Sequence, residues 1–380
     1  MQNGTFDDLF VLELANNHWG KLERGLKIIR DFGQVVRRNQ VRAALKLQFR
    51  DVGSFIHRQH RDRDDVRYIK KVGSTELSWN DLETLIEAVR AEGMIPMATP
   101  FDEVSVDKCV EFGLPIIKIA SSDIRDRVLL EKIASAGRPV IASTGGASLE
   151  DMDNLVAFFA ERDLPFALNH CVSIYPSDDG ELELNQIDFL TARYPGAVIG
   201  FSSHEKTDWT HSMLIAYAKG ARTFERHIDI DHDGVAVSPY CTLPHQADAW
   251  FRAFHKAREM CGAPADAKRV PPEKEVRYLD QLVRGVYATR DLPAEHVLTA
   301  ADVYFAVPLI HGQISVREFE GGERLRAPVV KDQPVRIREI ESDYANDLEL
   351  RRLIDDRGVS PDSGDTPARV QARRDLRKAG

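Results

Sequence analysis

The sequence has few cysteines, and their spacing does not favour a cysteine-based scaffold. Its 380 residues include four cysteines, Cys109, Cys171, Cys241 and Cys261, which lie far apart and form no CxxC pair. A disulfide framework or a cysteine zinc cluster is built from a denser set of cysteines with characteristic spacings. We therefore expect reduced thiols and no cysteine metal cluster.

The sequence also lacks a long apolar run and an excess of basic residues. No stretch approaches the roughly 20 apolar residues that are needed to span a bilayer. The first residues, MQNGTFDDLFVLEL, carry acids where a signal peptide would carry lysines. The formal net charge of -9 argues against general binding to nucleic acid or to an anionic membrane surface. We expect a cytoplasmic protein with neither partner, although local basic pockets are compatible with this charge.

Eight short apolar runs predict β-strands, and segments with helical periodicity separate most of them. One such segment carries Leu82, Leu85, Ile86 and Val89 at three-and-four spacing. This α/β alternation favours a parallel sheet, and eight runs predict a closed (β/α)8 barrel, the TIM barrel. The predicted strands are residues 10–15, 43–49, 95–99, 116–120, 140–143, 166–170, 198–201 and 223–227.

Polar residues stand at or just beyond the carboxyl ends of these runs. They are Glu13, His18, Lys46, Thr99, Lys118, His204 and His227. In a TIM barrel the carboxyl ends of the strands form the active-site face, so residues that are distant in sequence converge there. An open doubly wound sheet would instead concentrate its site at one switch point, and no GxGxxG follows the first strand. An acid, two lysines and two histidines at one mouth indicate an enzyme.

Two of the histidines end adjacent predicted strands and indicate an open metal site. His204 and His227 can bind a divalent ion and leave its other coordination positions to water and substrate oxygens. The alternative is that each imidazole has a structural role. That alternative is preferred for His18, His170 and His211, which the sequence does not pair with another ligand.

Two lysines within apolar strands indicate a bound anion. An unpaired ammonium at Lys46 or Lys118 would cost several kcal/mol to bury. Nearby hydroxyl and backbone N–H groups can cradle a phosphate or carboxylate. These groups belong to Ser121, Ser143, Thr144, Gly145 and Gly146.

The alternative for each lysine is an internal salt bridge, with Glu13, Asp123 or Asp102 as the partner. If an anion binds instead, Glu13 is free to act as an acid or a base. Its pKa would then be set by two opposing effects, burial and the nearby cations.

The composition changes after residues 250–261, the predicted final helix of a barrel that occupies residues 1–265. The stretch GAPADAKRVPPEKE is rich in proline and charge and predicts a linker over residues 266–280. Residues 281–340 carry short β-branched runs between turn residues, which predicts a small β-rich module. Residues 341–380 mix charges of both signs, so we expect a helical start over 348–354 followed by disorder.

Eight motifs in this order resemble the sialic acid synthase (N-acetylneuraminate synthase) family. They are VLELANNHWG, LKLQ, ATPF, IKIASSD, ASTGG, HCVSIYP, GFSSHE and ERHIDID. The resemblance makes the second module an antifreeze-like (SAF) cap domain. It implies condensation of phosphoenolpyruvate (PEP) with an N-acylated aldose, such as N-acetylmannosamine, to give phosphate and a nonulosonic 2-keto sugar acid. It also implies dependence on Mn2+ or Mg2+ and a domain-swapped homodimer.

The resemblance implies a role for each matched residue. His204 and His227 would bind the metal, Glu13 would mediate proton transfer, and Asp123 would lie near the metal and the acceptor. The residues implied in catalysis are Glu13, Lys46, Lys118 and Asp123. Those implied in PEP binding are Lys46, Thr99, Lys118, Ser121, Ser143 and Ser202. Those implied on the sugar side are Gln48 and Tyr175.

The departures from the family pattern lie on the acceptor side. Val237 stands near the position of an acceptor-binding aspartate, Val307 near that of a cap-domain arginine, and Ser173 replaces a common asparagine. We therefore expect an acceptor other than plain N-acetylmannosamine. Two other functions stay open: a Schiff-base aldolase that uses Lys118 or Lys46 without a metal, and a non-catalytic relative that binds a sugar or a protein.

Overall fold

Eight parallel strands close into a barrel in the first part of the chain. The computed structural model describes residues 4–263 and 267–359, and the chain divides into two units, Met1–Pro264 and Ala265–Gly380. In the first unit the strands pair in sequence order, and the first strand also pairs with the eighth. The strands are β1 (Leu9–Ala15), β2 (Arg42–Phe49), β3 (Ile95–Pro100), β4 (Ile116–Ile119), β5 (Val140–Ser143), β6 (Phe166–Cys171), β7 (Val198–Ser203) and β8 (Thr223–His227). The predicted TIM barrel is confirmed, and no predicted strand bound differs from the observed one by more than two residues.

Helices separate the strands, and the longer ones bury an apolar face against them. They are α1 (Leu22–Asn39), α2 (Val52–Phe55), α3 (Arg67–Ser74), α4 (Trp79–Ala91), α5 (Glu103–Glu111), α6 (Arg127–Ser135), α7 (Leu149–Ala160), α8 (Asn185–Arg193), α9 (Trp209–Ala218) and α10 (Pro244–Cys261). The α4 helix begins at a capping box formed by Ser78 and Asp81, and its buried residues are the four predicted ones. The α10 helix begins six residues before the predicted bound of 250, since Pro244 is suited to a first helical position.

The strand alternation separates an outer core from the barrel interior. In β1, Phe10 faces outward and meets Trp250 and Phe254 of α10 in edge contacts, with ring centroids 4.8 and 5.1 Å apart. Leu9 and Val11 belong to a separate apolar cluster with residues of the other strands. Successive strand residues point to opposite faces, so the next residue on the face of Leu9 and Val11 is Glu13, nearer the carboxyl end. The interior is thus apolar at one end and polar at the other.

The second unit is β-rich and has its own apolar core. Its antiparallel strands are β9 (Gly285–Ala288) with β10 (Val303–Ala306), and β11 (Arg324–Leu325) with β12 (Ile340–Glu341). Short antiparallel pairs in a β-rich unit agree with the expected SAF class. Its helices are α11 (Glu273–Asp280), α12 (Asp343–Asn346) and α13 (Leu348–Asp356).

Two segments outside these strands differ in part from the expectation. The segment predicted as a linker contains α11, because Pro272 immediately precedes the helix and Glu273 and Glu275 lie in its first turn, where acids favour a helix. The α13 helix covers the predicted helical start. Disorder is expected from residue 355, but residues 355 and 356 belong to α13 and Val359 forms a bridge with Ile310. Residues 360–380 lie outside the described ranges.

The structure also describes the four cysteine side chains and the length and apolar character of the helices. Cys109, Cys171 and Cys241 are buried free thiols, and Cys261 is an exposed one. Within residues 4–263 and 267–359, the protein has no helix with both the length and the apolar character that a membrane crossing requires.

Candidate active site

A cavity of about 640 Å³ opens at the carboxyl ends of the barrel strands. The strand register explains the convergence, because Glu13 pairs in register with Lys46 on one side and with His227 on the other. Asp123 lies in the short turn after β4 and is not part of the lining. The predicted residues that line the cavity are Glu13, Lys46, Gln48, Thr99, Lys118, Ser121, Ser143, Tyr175, Ser202, His204 and His227.

Lys46 is buried and held by two carboxylates. Its Nζ forms ion pairs with Glu13 and with Glu225, the latter at 3.3 Å, and donates a hydrogen bond to Thr99 Oγ1 at 3.0 Å. The salt-bridge alternative considered for this lysine is therefore present with Glu13. Asp102 is used elsewhere, since its side chain accepts the backbone N–H of a residue in the first turn of α5.

Lys118 is held more loosely by acids than Lys46. Its Nζ donates to Ser143 Oγ at 2.6 Å and to the carbonyl of Ile119 at 3.2 Å, and it lies 3.7 Å from Glu225 Oε1. Glu225 thus stands between the two lysines, and its second carboxylate oxygen is buried with no hydrogen-bond partner among the described residues. An anion that enters beside Lys118 would meet an ammonium whose charge nearby acids compensate only in part.

Burial and neighbouring charges shift the pKa values of Glu13, Lys46, Lys118 and Glu225, and which of the two effects prevails differs between the groups. Burial acts to raise the pKa of Glu225, but the charges of Lys118 and Lys46 outweigh it and lower that pKa. Burial acts to lower the pKa of Lys46, but Glu13 and Glu225 outweigh it and raise that pKa. For the other two groups burial prevails, so the pKa of Glu13 is raised and the pKa of Lys118 is lowered. Glu13 therefore holds a proton more readily than an ordinary glutamate, which suits an acid or base.

Glu225 is a site residue that the sequence reasoning missed. It lies in the strand TFERH two positions before His227, so both side chains point to the same face. The sequence did offer one indication of its importance, because this glutamate lies in a strand close to a candidate metal ligand. Its role depends on Lys46 and Lys118, which approach it from other strands.

Hydroxyl and backbone groups form a cradle beside Lys118. Ser121 Oγ accepts a hydrogen bond from the backbone N–H of Gly145 at 3.0 Å. A Cβ at Gly145 would lie 2.9 Å from Ser121 Oγ and would also collide with the hydroxyl of Ser173. The position following β5 therefore has to be small. Ser202 is buried on β7, in register with Glu225.

The histidine pair has the protonation state that a metal ligand requires. The His204 and His227 ring centroids are 5.4 Å apart. Burial lowers the pKa of His204 to about 4, and burial together with the charge of His204 lowers the pKa of His227. His204 Nδ1 lies 2.9 Å from the carbonyl oxygen of Val172, which accepts a hydrogen bond from the ring N–H and leaves the Nε2 lone pair available.

The residues present fit a divalent ion held by only two protein ligands. Within residues 4–263 and 267–359 no group of three or more His, Cys, Asp or Glu side chains has the arrangement of a metal centre. Neutral His204 and His227 would supply two nitrogens, and water and substrate oxygens would fill the other positions. The Tyr175 ring packs on that of His204, with centroids 4.0 Å apart, and limits the space beside the pair.

The other predicted residues lie around this centre in different ways. Gln48 Nε2 donates to Glu13 Oε1 at 3.0 Å and so orients the carboxylate. Asp123 accepts a hydrogen bond from the Ser122 hydroxyl at 2.7 Å, its other carboxylate oxygen is buried without a partner, and burial raises its pKa. His18 and His170 hydrogen-bond to backbone groups, which agrees with structural roles.

A second missed set comes from the segment between β2 and α4. Arg50, Tyr68 and Lys71 line the same cavity, together with Phe101 after β3. Arg50, Tyr68 and Lys71 reach the cavity because the segment that carries them, with two short helices and no strand, passes beside it. No periodicity at a strand end indicates these residues from the sequence.

Comparison with known proteins identifies relatives of the barrel unit. A sequence profile described as the NeuB family matches residues 39–263. Spore coat polysaccharide biosynthesis protein SpsE of Bacillus subtilis is 31% identical over 225 residues, which are 58% of this chain and 59% of that protein. N-acetylneuraminate-9-phosphate synthase of Drosophila melanogaster is 33% identical over 153 residues, which are 39% of this chain and 40% of that protein. These two matches each span less than two thirds of the relative.

A solved structure extends the similarity to the second unit. It is a Chromobacterium violaceum protein described as a spore coat polysaccharide biosynthesis protein E. It is 37% identical and covers 88% of this chain and 100% of its own, with a TM-score of 0.83. The similarity in fold therefore includes most of the chain.

Proposed function

Because this chain belongs to the NeuB family, we propose that it is a transferase that condenses PEP with an N-acylated aldose. The products would be phosphate and a nonulosonic-type 2-keto-3-deoxy sugar acid. The observation that carries the proposal is one cavity in which a buried lysine pair lies beside two uncharged histidines. The Drosophila relative, named as an N-acetylneuraminate-9-phosphate synthase, supports the same reaction class.

The lysine pair and the hydroxyl cradle would bind PEP. Lys46 and Lys118 are 4% and 2% exposed, so an anion between them would be largely removed from water. Low water content strengthens charge-assisted hydrogen bonds to phosphate and carboxylate. The hydroxyl groups that would complete this site belong to Thr99, Ser121, Ser143 and Ser202.

Glu13 would move protons during the condensation. C3 of PEP forms a bond to the aldehyde carbon of the acceptor, whose oxygen gains a proton. Water then adds at C2 and loses a proton, and phosphate leaves with the C–O bonding pair while the new C2 hydroxyl loses its proton to become the ketone. The raised pKa of Glu13 and its contacts with Lys46 and Gln48 suit this group to proton transfer. Asp123, which the resemblance implies near the acceptor, does not line the cavity and would act through its hydrogen bond from Ser122, which does.

His204 and His227 would hold the divalent ion that the family resemblance implies. Mn2+ or Mg2+ in this position would supply Lewis-acid activation of the aldehyde. The contact of His204 Nδ1 with Val172 fixes the ring orientation, and Tyr175 packs against the same ring. Both contacts would keep the imidazole in place whether or not the ion is bound.

The test is phosphate release from PEP with Mn2+ and a panel of aldoses, with chelated controls. We expect release that requires both the metal and one sugar. His204→Ala and His227→Ala should each lower it by roughly a hundredfold or more, beyond the cost of losing an outer-shell partner. His211→Ala removes an exposed imidazole paired with Asp208 and should leave release unchanged. Unchanged metal-dependent release in His227→Ala would falsify the assignment of the metal ligands.

One observation favours the Schiff-base aldolase as a second candidate. Burial lowers the pKa of Lys118, and a lysine that loses its proton readily can attack a carbonyl. Borohydride added with a 2-keto acid would then fix a covalent adduct at Lys118, and metal chelation would not prevent it. Absence of an adduct together with metal-dependent phosphate release would exclude this candidate.

The same proposal includes a cytoplasmic location, which the composition favours, and the domain-swapped homodimer that the resemblance implies. PEP and sugar acceptors are cytoplasmic metabolites, so their synthase is expected in that compartment. Light scattering on the purified full-length chain would give its mass directly. A monomeric mass across the concentrations used for activity would contradict the dimer and leave the reaction to be judged by phosphate release alone.

A further inference from the structure

Two cations that line the cavity form no ion pair in the described part of the chain, although the charge of one of them, Arg50, acts to lower the pKa of Asp123, which does not line the cavity. Among the residues that the structure describes, the side chains of Arg50 and Lys71 take part in no ion pair and no hydrogen bond. Lys46 and Lys118, by contrast, both lie within ion-pair distance of Glu225. The cavity therefore carries positive charge that its own acids do not compensate.

Arg50 is held in place by aromatic rings that leave its donors available. Its guanidinium carbon lies 3.6 Å from the ring centroid of Phe101 and 5.8 Å from those of Phe55 and Tyr68. Its Nε is buried and has no hydrogen-bond partner within residues 4–263 and 267–359. Stacking on an aromatic face orients a guanidinium and does not cancel its charge. The side chain is thus positioned to meet an anion.

Lys71 reaches the cavity from a different element. It lies on α3 three residues after Tyr68, on the same side of the helix, and both residues line the cavity. Lys71 is exposed and Arg50 is half-buried, whereas Lys46 and Lys118 are buried. The two unpaired cations therefore belong to the outer part of the cavity.

We propose that Arg50 and Lys71 bind a second anionic group on the acceptor, which is an aldose carrying a phosphate or a carboxylate remote from its aldehyde. This inference rests on the proposed function, which puts PEP at the inner lysines and the aldehyde at His204. The far end of the acceptor then lies toward the mouth. The acids that line the cavity are Glu13 and Glu225, and both are paired with Lys46.

The loss of the family's acceptor contacts agrees with this inference. The resemblance expects an aspartate near Val237 and an arginine near Val307, and neither valine can form a polar side-chain contact with a sugar. Recognition in this chain then falls to other polar groups. Arg50 and Lys71 supply cationic recognition from the barrel unit itself.

Binding of unreactive acceptor analogues tests the inference without turnover. The alditols of N-acetylmannosamine, of its 6-phosphate and of the corresponding uronic acid lack an aldehyde, and each is titrated calorimetrically into the full-length chain with Mn2+ and PEP. We expect a charged alditol to bind at least about tenfold more tightly than the neutral one, the effect of one or more charge-assisted hydrogen bonds. The phosphate and uronate arms distinguish the two anion sources.

Matched variants assign the charge preference to the two residues. Arg50→Gln and Lys71→Gln should each reduce the preference by about tenfold, with little change in the affinity for PEP. Lys70→Gln removes the neighbouring charge, which does not line the cavity, and should keep the preference. Equal affinity for all three alditols, including no measurable binding of any, overturns the inference. So does a preference that survives both substitutions, or a loss of PEP affinity in Arg50→Gln.

The two proposals fail in different ways. Phosphate release supported by neutral aldoses, without a charge preference in the titrations, would keep the synthase and reject the anionic acceptor. A charge preference that depends on Arg50 and Lys71, without phosphate release from any sugar tested, would keep the binding site and count against the reaction.

Discussion

Lys118 is a buried ammonium whose charge depends on its surroundings. Burial lowers its pKa below the ordinary 10.5, although Glu225 acts in the opposite direction. Its charged form exists below that lowered pKa and is lost as the pH rises through it. We therefore expect kcat/KM for PEP to fall on the alkaline side before an ordinary lysine would titrate, because the free enzyme then binds the anion less well.

The measurement is the alkaline pH profile of kcat/KM at saturating acceptor and metal. Lys118→Arg should move the fall to higher pH, because a guanidinium keeps its charge. A profile with the same alkaline fall in Lys118→Arg would show that another group causes it.

Glu225 compensates two lysines, so its removal should destabilise the empty site more than the occupied one. Glu225→Gln leaves the ammonium groups of Lys46 and Lys118 without this charge. We expect the free energy of unfolding to fall by about 3 kcal/mol, the lower part of the range for a broken buried ion pair. PEP would replace the missing negative charge. The increase in melting temperature on adding PEP should therefore be larger in the variant than in the parent.

Glu205→Gln is the control for that measurement. Glu205 is also buried and ion-paired, 2.7 Å from Arg226, and does not line the cavity. It should lower stability and leave the PEP-dependent increase unchanged. An equal or smaller increase in Glu225→Gln would contradict the compensating role.

The residue scale also shows what the sequence can and cannot indicate. Lys46 and Lys118 could be singled out because a charge inside an apolar strand needs a partner. Glu225 has the same property, but its two lysines lie on β2 and β4, so its role emerges only when the barrel closes. The positions of Arg50 and Lys71 in the site depend on the path of an irregular segment, which local sequence periodicity does not predict.

At the scale of elements, the strands were the most predictable part. Buried parallel strands are short apolar runs, and burial on both faces makes their limits visible in the sequence. Helix α10 began earlier than its apolar pattern indicated, because Pro244 and the polar residues after it add a first turn. Helix α11 was missed because prolines and charges resemble a linker, although Pro272 only precedes the helix.

The loop after β5 offers a test at this scale. Gly145→Ala would place a Cβ against the hydroxyls of Ser121 and Ser173 and 2.9 Å from Ser173 Cβ, so both hydroxyls have to rotate and the exposed loop that carries Ser173 has to shift. The rotation would disturb the cradle, so we expect KM for PEP to rise roughly tenfold, as for one lost hydrogen bond to a charged group. The melting temperature without PEP should change little. Steady-state kinetics and thermal melting measure the two effects.

Gly180→Ala provides the comparison, since a Cβ there would meet no atom within 4 Å. Its KM for PEP should equal that of the parent. A Gly145→Ala variant with unchanged KM would show that the hydroxyl positions do not matter for PEP. A large fall in its melting temperature would mean that the substitution acts on the fold instead.

At the scale of the whole molecule, the closed barrel is what brings the site together. Glu13 and His227 are 214 positions apart in the sequence and in register on neighbouring strands. All cavity-lining residues lie between them, within the unit Met1–Pro264. That unit also has its own apolar core, formed by residues from Phe10 to Phe254. The physical requirements for folding and for PEP binding are thus met within one unit.

We therefore expect a chain that ends at residue 264 to fold and to bind PEP with Mn2+. Its thermal transition should be cooperative, and PEP should raise its midpoint as in the full-length protein, because a ligand that binds only the folded state stabilises it. Residues 265–380, whose described part contains none of the lining residues, should show no such increase. A truncated barrel that folds without responding to PEP would mean that the second unit completes the anion site, and the assignment of that site to Lys46 and Lys118 alone would have to be given up.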